Sequence, residues 1–169
     1  TMMGIIDNIL YLNQNNKTYA SIIDYKTGTL PDRIDMTIYG IGMQLPIYYH
    51  LLKHTNILPN VKIVGMFLQK IINQDNKYDK AKDYLEEKAK KLKLVGYATS
   101  NEYDLSLFDM SYQDSGLIKS MKVGNTGFYK YSKVLSEEKL NQLDNIVSDK
   151  IEEAANSILN ANFDINPKR

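Results

Sequence analysis

The sequence predicts one mixed α/β domain, and three observations carry that prediction. Residues 4–12 and 21–28 both read as β-branched strands, and the polar stretch 13–17 separates them. Residues 39–54 follow the helical period and precede residues 61–71, a run apolar enough for a buried strand. Residues 136–160 open on a capping serine and keep one long apolar stripe. Because strands and helices alternate along the chain, we expect a mixed β-sheet covered by helices.

The composition is that of an ordinary globular protein. The chain has 169 residues, 43% of them hydrophobic, which is enough for a real core, and no apolar run is long enough to predict a membrane span. The 21 basic and 20 acidic residues give a net charge of +1, so bulk electrostatics does not indicate nucleic-acid binding and any DNA contact must be local.

Two features that the sequence lacks bear on the cellular location of the protein. The chain has no cysteine, which excludes disulfides and thiolate metal sites within it, and its first residues lack the basic region of a signal peptide. We expect a cytoplasmic location. We also expect a fragment of a longer chain, because natural chains rarely begin inside their first strand.

Two aspartates are expected to meet across the first hairpin. Asparagine tolerates positive φ, so Asn15 and Asn16 are good candidates for the two central turn residues. Paired residue numbers then sum to 31, which places Asp7 directly opposite Asp24. A register shift of two keeps both acids on one face, whereas a shift of one separates them. Opposed or diagonal strand positions lie roughly 5–8 Å apart at Cβ, a distance that a divalent cation can bridge.

A lysine accompanies the second aspartate. Residues two apart on a strand share a face, so Lys26 lies beside Asp24 while Tyr25 points away. Two carboxylates this close favour binding of a hard cation such as Mg²⁺, and Lys26 would then face a phosphate or an attacking water. The residues alone leave an alternative open, in which Asp24 and Lys26 form a half-exposed ion pair without a catalytic role.

The helix that follows carries a third motif. Gln44 and Tyr48 are four residues apart within residues 39–54 and therefore share one helical face. Pro46 indicates that this helix either kinks or begins just before the proline.

Three motifs in this order resemble the PD-(D/E)xK nuclease superfamily in its RecB-like branch. They are G-x-x-D at residues 4–7, DYKTG at residues 24–28 and Q-x-x-x-Y at residues 44–48. The residues at these motifs are most similar to the C-terminal nuclease domain of AddB/RexB subunits of bacterial ATP-dependent helicase–nucleases. The resemblance implies a restriction-endonuclease-like mixed sheet flanked by helices, with a long C-terminal helix. It also implies one nuclease-like domain over residues 1–169, with core motifs at 4–71, an insertion at 95–133 and the last helix at 136–160.

The resemblance assigns site residues and a metal. Asp7, Asp24 and the backbone carbonyl of Tyr25 would hold Mg²⁺ or Mn²⁺. Lys26 would act on the attacking water or the developing charge. Gln44 and Tyr48 would border the catalytic carboxylates.

The implied activity is that of a Mg²⁺-dependent deoxyribonuclease, acting as an exonuclease in double-strand break repair and recombination. The substrate would be single-stranded DNA delivered by helicase parts, and an AddA/RexA-like subunit would be the partner. The family also implies a 4Fe–4S cluster in the longer parent, although this chain lacks cysteine. Asn8 and Leu10 stand where relatives often carry arginine and aspartate. Two alternatives remain: a catalytically inert nuclease-fold domain that binds DNA or braces a helicase assembly, and an unrelated α/β interaction module.

Other polar residues are interpreted as surface features. Arg33 lies in the loop at 29–35 and Lys70 at the end of the run 61–71; either could contact phosphate, but a surface role is the better interpretation. The lysine-rich residues 88–93 belong to an exposed helix at 82–94. His50 and His54 are four apart and could bind a metal only with a third ligand, which the sequence does not indicate. We interpret the two histidines as surface or capping residues.

Overall fold

The computed structural model describes residues 3–28, 30, 34–71 and 81–162. Its strands are β1 Asn8–Gln14, β2 Lys17–Lys26, β3 Val61–Lys70, β4 Val95–Thr99, β5 Val123–Gly124, β6 Gly127–Phe128 and β7 Val134–Leu135. Its helices are a 3₁₀ helix Ile34–Tyr39, then α1 Gln44–His54, α2 Ala81–Lys91, α3 Glu102–Phe108 and α4 Glu137–Leu159. None of the helices within the described ranges combines the length and apolar character needed to cross a membrane.

The larger sheet of the described chain is mixed, with strand order β1-β2-β3-β4-β7. β1 and β2 are antiparallel, β2 and β3 are parallel, β3 and β4 are antiparallel, and β4 and β7 are parallel. The predicted mixed α/β fold with a long C-terminal helix is therefore confirmed. Strand β3 lies directly beside β2.

The hairpin register is the predicted one. Asn15 and Asn16 have φ values of 51° and 62°, so both central turn residues adopt the left-handed conformation of a type I′ turn. Asn8 pairs with Ile23, which fixes the sum of paired residue numbers at 31. Pairing starts only at Asn8, so the strand begins later than the predicted residue 4.

Hydrophobic side chains cover both faces of the sheet. On one face Ile22 and Met66 pack with Leu52 of α1 and Leu143 of α4. On the other face, Ile23 of β2 and Phe67 of β3 belong to a second cluster of buried side chains, whose other members are Leu94, Ala98, Leu105, Ile118 and Met121. Because side chains alternate along β2, its even-numbered residues from Ala20 onward face α1. This alternation directs Asp24 and Lys26 toward the helix that carries Gln44.

Helix α1 starts later than the sequence prediction of residue 39. Residues 34–39 form the 3₁₀ helix instead, and α1 begins at Gln44. Pro46 therefore lies in the first turn of α1, where its missing N–H leaves no helical hydrogen bond unmade. Of the two choices that the proline left open, the start just before it is the one observed.

The segment predicted as an insertion contributes to the sheet. Residues 95–99, the first five of the predicted insertion at 95–133, form β4, which pairs with β3. Further along the same segment, β5 and β6 pair in a separate two-stranded sheet. The predicted helix 82–94 ends earlier, at Lys91, because Leu94 is buried and bridges to Ile118.

Gly96 allows β3 and β4 to approach closely. A Cβ at Gly96 would lie 2.1 Å from the Met66 carbonyl oxygen and 2.8 Å from the Phe67 Cα. Both are backbone atoms, so an alanine there must push the strands apart. We expect Gly96→Ala to lower the free energy of unfolding by about 2–3 kcal/mol in urea denaturation. Gly116→Ala is the matched control, since a Cβ at Gly116 meets no described atom within 4 Å. Equal stabilities of the two variants would contradict this packing.

Candidate active site

Asp7 lies at the end of the hairpin, next to the backbone that follows Asp24. The register places Asp7 one step beyond the Asn8–Ile23 pair, opposite Asp24. Its Oδ2 accepts a hydrogen bond of 2.9 Å from the Tyr25 backbone N–H. The carboxylate therefore continues the β1–β2 pairing past the last paired residue. The side chain is otherwise exposed, so it faces the solvent side of the site.

Asp24 is the buried acid of the site, with 2% of its surface exposed. Its Oδ1 accepts a 2.9 Å hydrogen bond from Gln44 Nε2, and its Oδ2 lies 2.6 Å from Lys26 Nζ. That ion pair is close, but its angles fall outside hydrogen-bond geometry, so Oδ2 accepts no hydrogen bond from a described residue. Burying a carboxylate is costly unless it is paired, and Lys26 supplies the compensating charge.

Gln44 joins Asp24, Lys26 and Tyr48 in one network. Its Oε1 accepts a 2.6 Å hydrogen bond from Lys26 Nζ, while its Nε2 donates to Asp24 and, at 3.0 Å, to the Tyr48 hydroxyl. Since the oxygen faces an ammonium and the nitrogen faces a carboxylate, these partners fix the orientation of the amide. The predicted site residues of β2 and α1 are thus in direct contact.

The Tyr25 side chain points away from this network, as strand alternation predicts. Its hydroxyl accepts a 3.0 Å hydrogen bond from Asn8 Nδ2. The family resemblance implied an arginine at the position of Asn8, and no role for Asn8 was predicted. The hydrogen bond from Asn8 fixes the Tyr25 side chain across β1 and β2. It thereby also restrains the residue whose backbone carbonyl was predicted as a metal ligand.

Similarity to known proteins identifies the family. A family model described as the PD-(D/E)XK nuclease superfamily matches residues 1–169. The chain belongs to the PD-(D/E)XK nuclease superfamily. Members of this superfamily generally use divalent metals.

Three relatives of this nuclease chain share one name, the B subunit of an ATP-dependent helicase/deoxyribonuclease. The protein of Carboxydothermus hydrogenoformans is 29% identical over 129 residues, covering 73% of this chain and 12% of the relative. That of Oceanobacillus iheyensis is 27% identical over 175 residues, covering 98% and 15%. That of Thermoanaerobacter sp. X514 is 26% identical over 174 residues, covering 99% and 15%. The chain therefore spans only about 12–15% of the length of these relatives.

The residues at the nuclease motifs fit a hard divalent cation. Asp7 and Asp24 offer carboxylate oxygens on opposed positions, and Asp24 Oδ2 is buried without a hydrogen bond from a described residue. An all-oxygen donor set is the one that Mg²⁺ and Mn²⁺ prefer. Lys26 Nζ lies beside the same oxygen, so a cation bound to Asp24 requires the amine to turn toward solvent or substrate. With about a quarter of its side chain exposed, Lys26 has room to do so.

Three other polar features were predicted at the surface, and their outcomes differ. Lys70 pairs with Lys26 in the β2–β3 register, which puts it at the same end of the sheet. Arg33 lies outside the described residues. Lys93, the last residue of the lysine-rich segment 88–93, donates to the Ser115 carbonyl at 2.8 Å.

The interpretation of the two histidines was incomplete. His50 and His54 both contact Asp144 of α4, a third potential ligand that the sequence pattern did not reveal. The available signal was an acid inside an apolar stripe, since Asp144 directly follows Leu143 and precedes Val147 on the buried face of α4.

Proposed function

We propose that this chain is a metal-dependent DNA nuclease domain that hydrolyses phosphodiester bonds. Asp7, Asp24 and the Tyr25 carbonyl would hold Mg²⁺ or Mn²⁺, and Lys26, Gln44 and Tyr48 would complete the active site. The single observation that carries the proposal is the Gln44 bridge. One amide holds both the buried Asp24 carboxylate and the Lys26 amine, within hydrogen-bond distance of each.

The bound cation would supply Lewis-acid activation of the scissile phosphate and a lowered pKa for an attacking water. Water oxygen forms a bond to phosphorus while one P–O ester bond breaks, and the departing oxygen ends up carrying a proton.

The chain's own residues hold the reacting groups in place. Gln44 Nε2 fixes the Asp24 carboxylate, and Gln44 Oε1 keeps the Lys26 amine on the same side of the sheet. Lys26 then provides positive charge where negative charge develops on the phosphate oxygens, or orients the attacking water by hydrogen bonding. The Tyr48 hydroxyl accepts a hydrogen bond from Gln44 Nε2 and so limits how far the Gln44 side chain can move.

The proposal for the substrate and the assembly is based on the names of the relatives. A protein called the B subunit of a helicase/deoxyribonuclease acts on DNA and works with at least one further subunit. We accordingly propose exonucleolytic cleavage of single strands delivered by an ATP-dependent helicase, with an AddA/RexA-like partner. The setting would be repair and recombination at double-strand breaks in the bacterial cytoplasm. A 4Fe–4S cluster would belong to other parts of such a protein, because this chain has no cysteine ligand.

Two points favour a second candidate, an inert nuclease-fold domain that binds DNA or braces the helicase assembly. The 2.6 Å contact between Lys26 Nζ and Asp24 Oδ2 neutralises the buried carboxylate without a metal. The replacement of the expected arginine by Asn8 points in the same direction.

Cleavage of end-labelled single-stranded DNA separates the two candidates. We expect products in Mg²⁺ or Mn²⁺, none after addition of EDTA, and slower cleavage of blunt duplex DNA. The assay is done with this chain and with a helicase–nuclease assembly that contains it. DNA binding without metal-dependent cleavage in both forms would favour the inert domain.

A further inference from the structure

The chain has two histidines, and both converge on one carboxylate. His50 and His54 are one turn apart on α1, while Asp144 comes from α4. His50 Nδ1 lies 2.8 Å from Asp144 Oδ1, and His54 Nε2 lies 2.9 Å from Asp144 Oδ2. The two imidazole rings are 4.5 Å apart between centroids. One ligand atom from each of the three side chains lies within 4.8 Å of the others.

Asp144 is buried, so its carboxylate requires hydrogen-bond or charged partners. It is 6% exposed and belongs to the buried stripe of α4. Burial raises the pKa of Asp144, but hydrogen bonds from Lys53, His54 and His50 outweigh burial and hold it below its usual range. The buried carboxylate is therefore held between His50, His54 and Lys53.

We propose that His50, His54 and Asp144 form a binding site for a divalent transition-metal ion of the zinc type, separate from the acids of the active site. Two imidazoles and one carboxylate are a set that zinc accepts, with water in the fourth position. Both histidines are within one helical turn of each other on the same face, so a single ion can reach both. His54 is about half exposed, which leaves an entry path from solvent.

Only small side-chain movements are needed to form the site. Bonds of about 2.0–2.1 Å to a tetrahedral ion put ligand atoms roughly 3.4 Å apart. The observed distances of 2.8 Å to Asp144 Oδ1 and 2.9 Å to Asp144 Oδ2 are somewhat shorter, while the three ligand atoms span up to 4.8 Å. The side chains must therefore shift by about 1 Å to bring one atom of each to the same ion.

Lys53 is the competing cation at this site. Its Nζ lies 2.9 Å from Asp144 Oδ2 and also donates a 3.0 Å hydrogen bond to Asn141 Oδ1. A metal would take the place of Lys53 on the carboxylate, and the lysine would keep Asn141 as its partner. Removing the lysine charge should therefore strengthen metal binding.

The proposed ion would connect α1 to α4. Gln44 lies six residues before His50 on α1, about 9 Å along the helix axis, so the ion would not touch the active-site network. Its role would be structural, because it fixes the helix that presents Gln44 and Tyr48 to Asp24.

Titration with Zn²⁺ in excess Mg²⁺ tests the proposal, since Mg²⁺ occupies oxygen-only sites and imidazole prefers zinc. The readout is the pair of histidine side-chain signals in ¹H–¹⁵N NMR, together with the melting temperature of the chain. We expect one equivalent of Zn²⁺ to shift both imidazole signals and to raise the melting temperature. The sequence has two histidines, so every imidazole signal belongs to one of the two proposed ligands.

Two variants make the result specific. His54→Gln alters a half-exposed side chain, so the fold should persist, and we expect zinc affinity to fall about ten-fold or more. Lys53→Gln keeps all three ligands and should bind zinc more tightly than the wild type. Zinc that leaves both imidazole signals unchanged, or that binds His54→Gln as well as wild type, would overturn the proposal. The histidines would then serve only as hydrogen-bond partners between the helices.

Discussion

Asp24→Asn is expected to reduce the rate of DNA cleavage about 10³-fold, which corresponds to about 4 kcal/mol of transition-state stabilisation. The substituted asparagine would keep the shape of the side chain but would lose the charge that binds a divalent cation. Asp24 is also the acid that Gln44 and Lys26 contact directly, so the loss of its charge affects both partners. The measurement is single-turnover cleavage of labelled single-stranded DNA at saturating Mg²⁺.

The free energy of unfolding of Asp24→Asn should show that the loss of cleavage is not caused by unfolding. Asp24 is buried with one cationic partner, and Lys26 is exposed enough to reach solvent when the carboxylate is removed. We expect the free energy of unfolding to change by no more than about 1 kcal/mol. Asp149→Asn is the matched control, because Asp149 is an exposed acid on α4 and loses the same charge. Cleavage by Asp24→Asn at the Asp149→Asn rate would refute the catalytic role of Asp24.

Lys26→Ala is expected to reduce cleavage by about 10²–10³-fold and also to destabilise the fold. The first effect follows from loss of the positive charge beside the reacting phosphate. The second follows because Asp24 Oδ2 would remain buried without a countercharge, which costs about 2–3 kcal/mol for a partner that is itself partly exposed. Single-turnover cleavage and urea denaturation measure the two effects on the same protein.

A double variant tests the physical reason for the destabilisation. If the unpaired carboxylate is the cause, Lys26→Ala combined with Asp24→Asn should be more stable than Lys26→Ala alone. Lys17→Ala is the control, since Lys17 is an exposed lysine at the start of the same strand. A Lys26→Ala protein with wild-type cleavage would show that the amine has no part in the chemistry.

The arrangement of the candidate site residues could be predicted largely because their geometry is local. Asn15 and Asn16 determine the turn, the turn determines the register, and the register brings Asp7 to Asp24. Strand alternation then places Lys26 beside Asp24. The contact with Gln44 needed one further piece of information, that α1 packs on the face of the sheet that the even-numbered β2 residues occupy.

Features that depend on distant contacts were not predictable in the same way. Strand β4 has only five residues, and its glycine is there because the neighbouring backbone is too close for a side chain. The local sequence of residues 95–99 therefore does not predict a strand, although tertiary packing makes these residues one. Asp144 was missed for a similar reason, since its partners on α1 are about ninety residues away in sequence.

The location of Mn²⁺ in a crystal of this chain, determined by anomalous scattering, tests the central claim most directly. The nuclease proposal predicts one Mn²⁺ peak roughly 2.2 Å from carboxylate oxygens of both Asp7 and Asp24 and from the Tyr25 carbonyl oxygen. It also predicts that Lys26 Nζ moves away from Asp24 Oδ2. A crystal in which Mn²⁺ avoids these oxygens while Lys26 keeps its 2.6 Å contact with Asp24 would contradict the account.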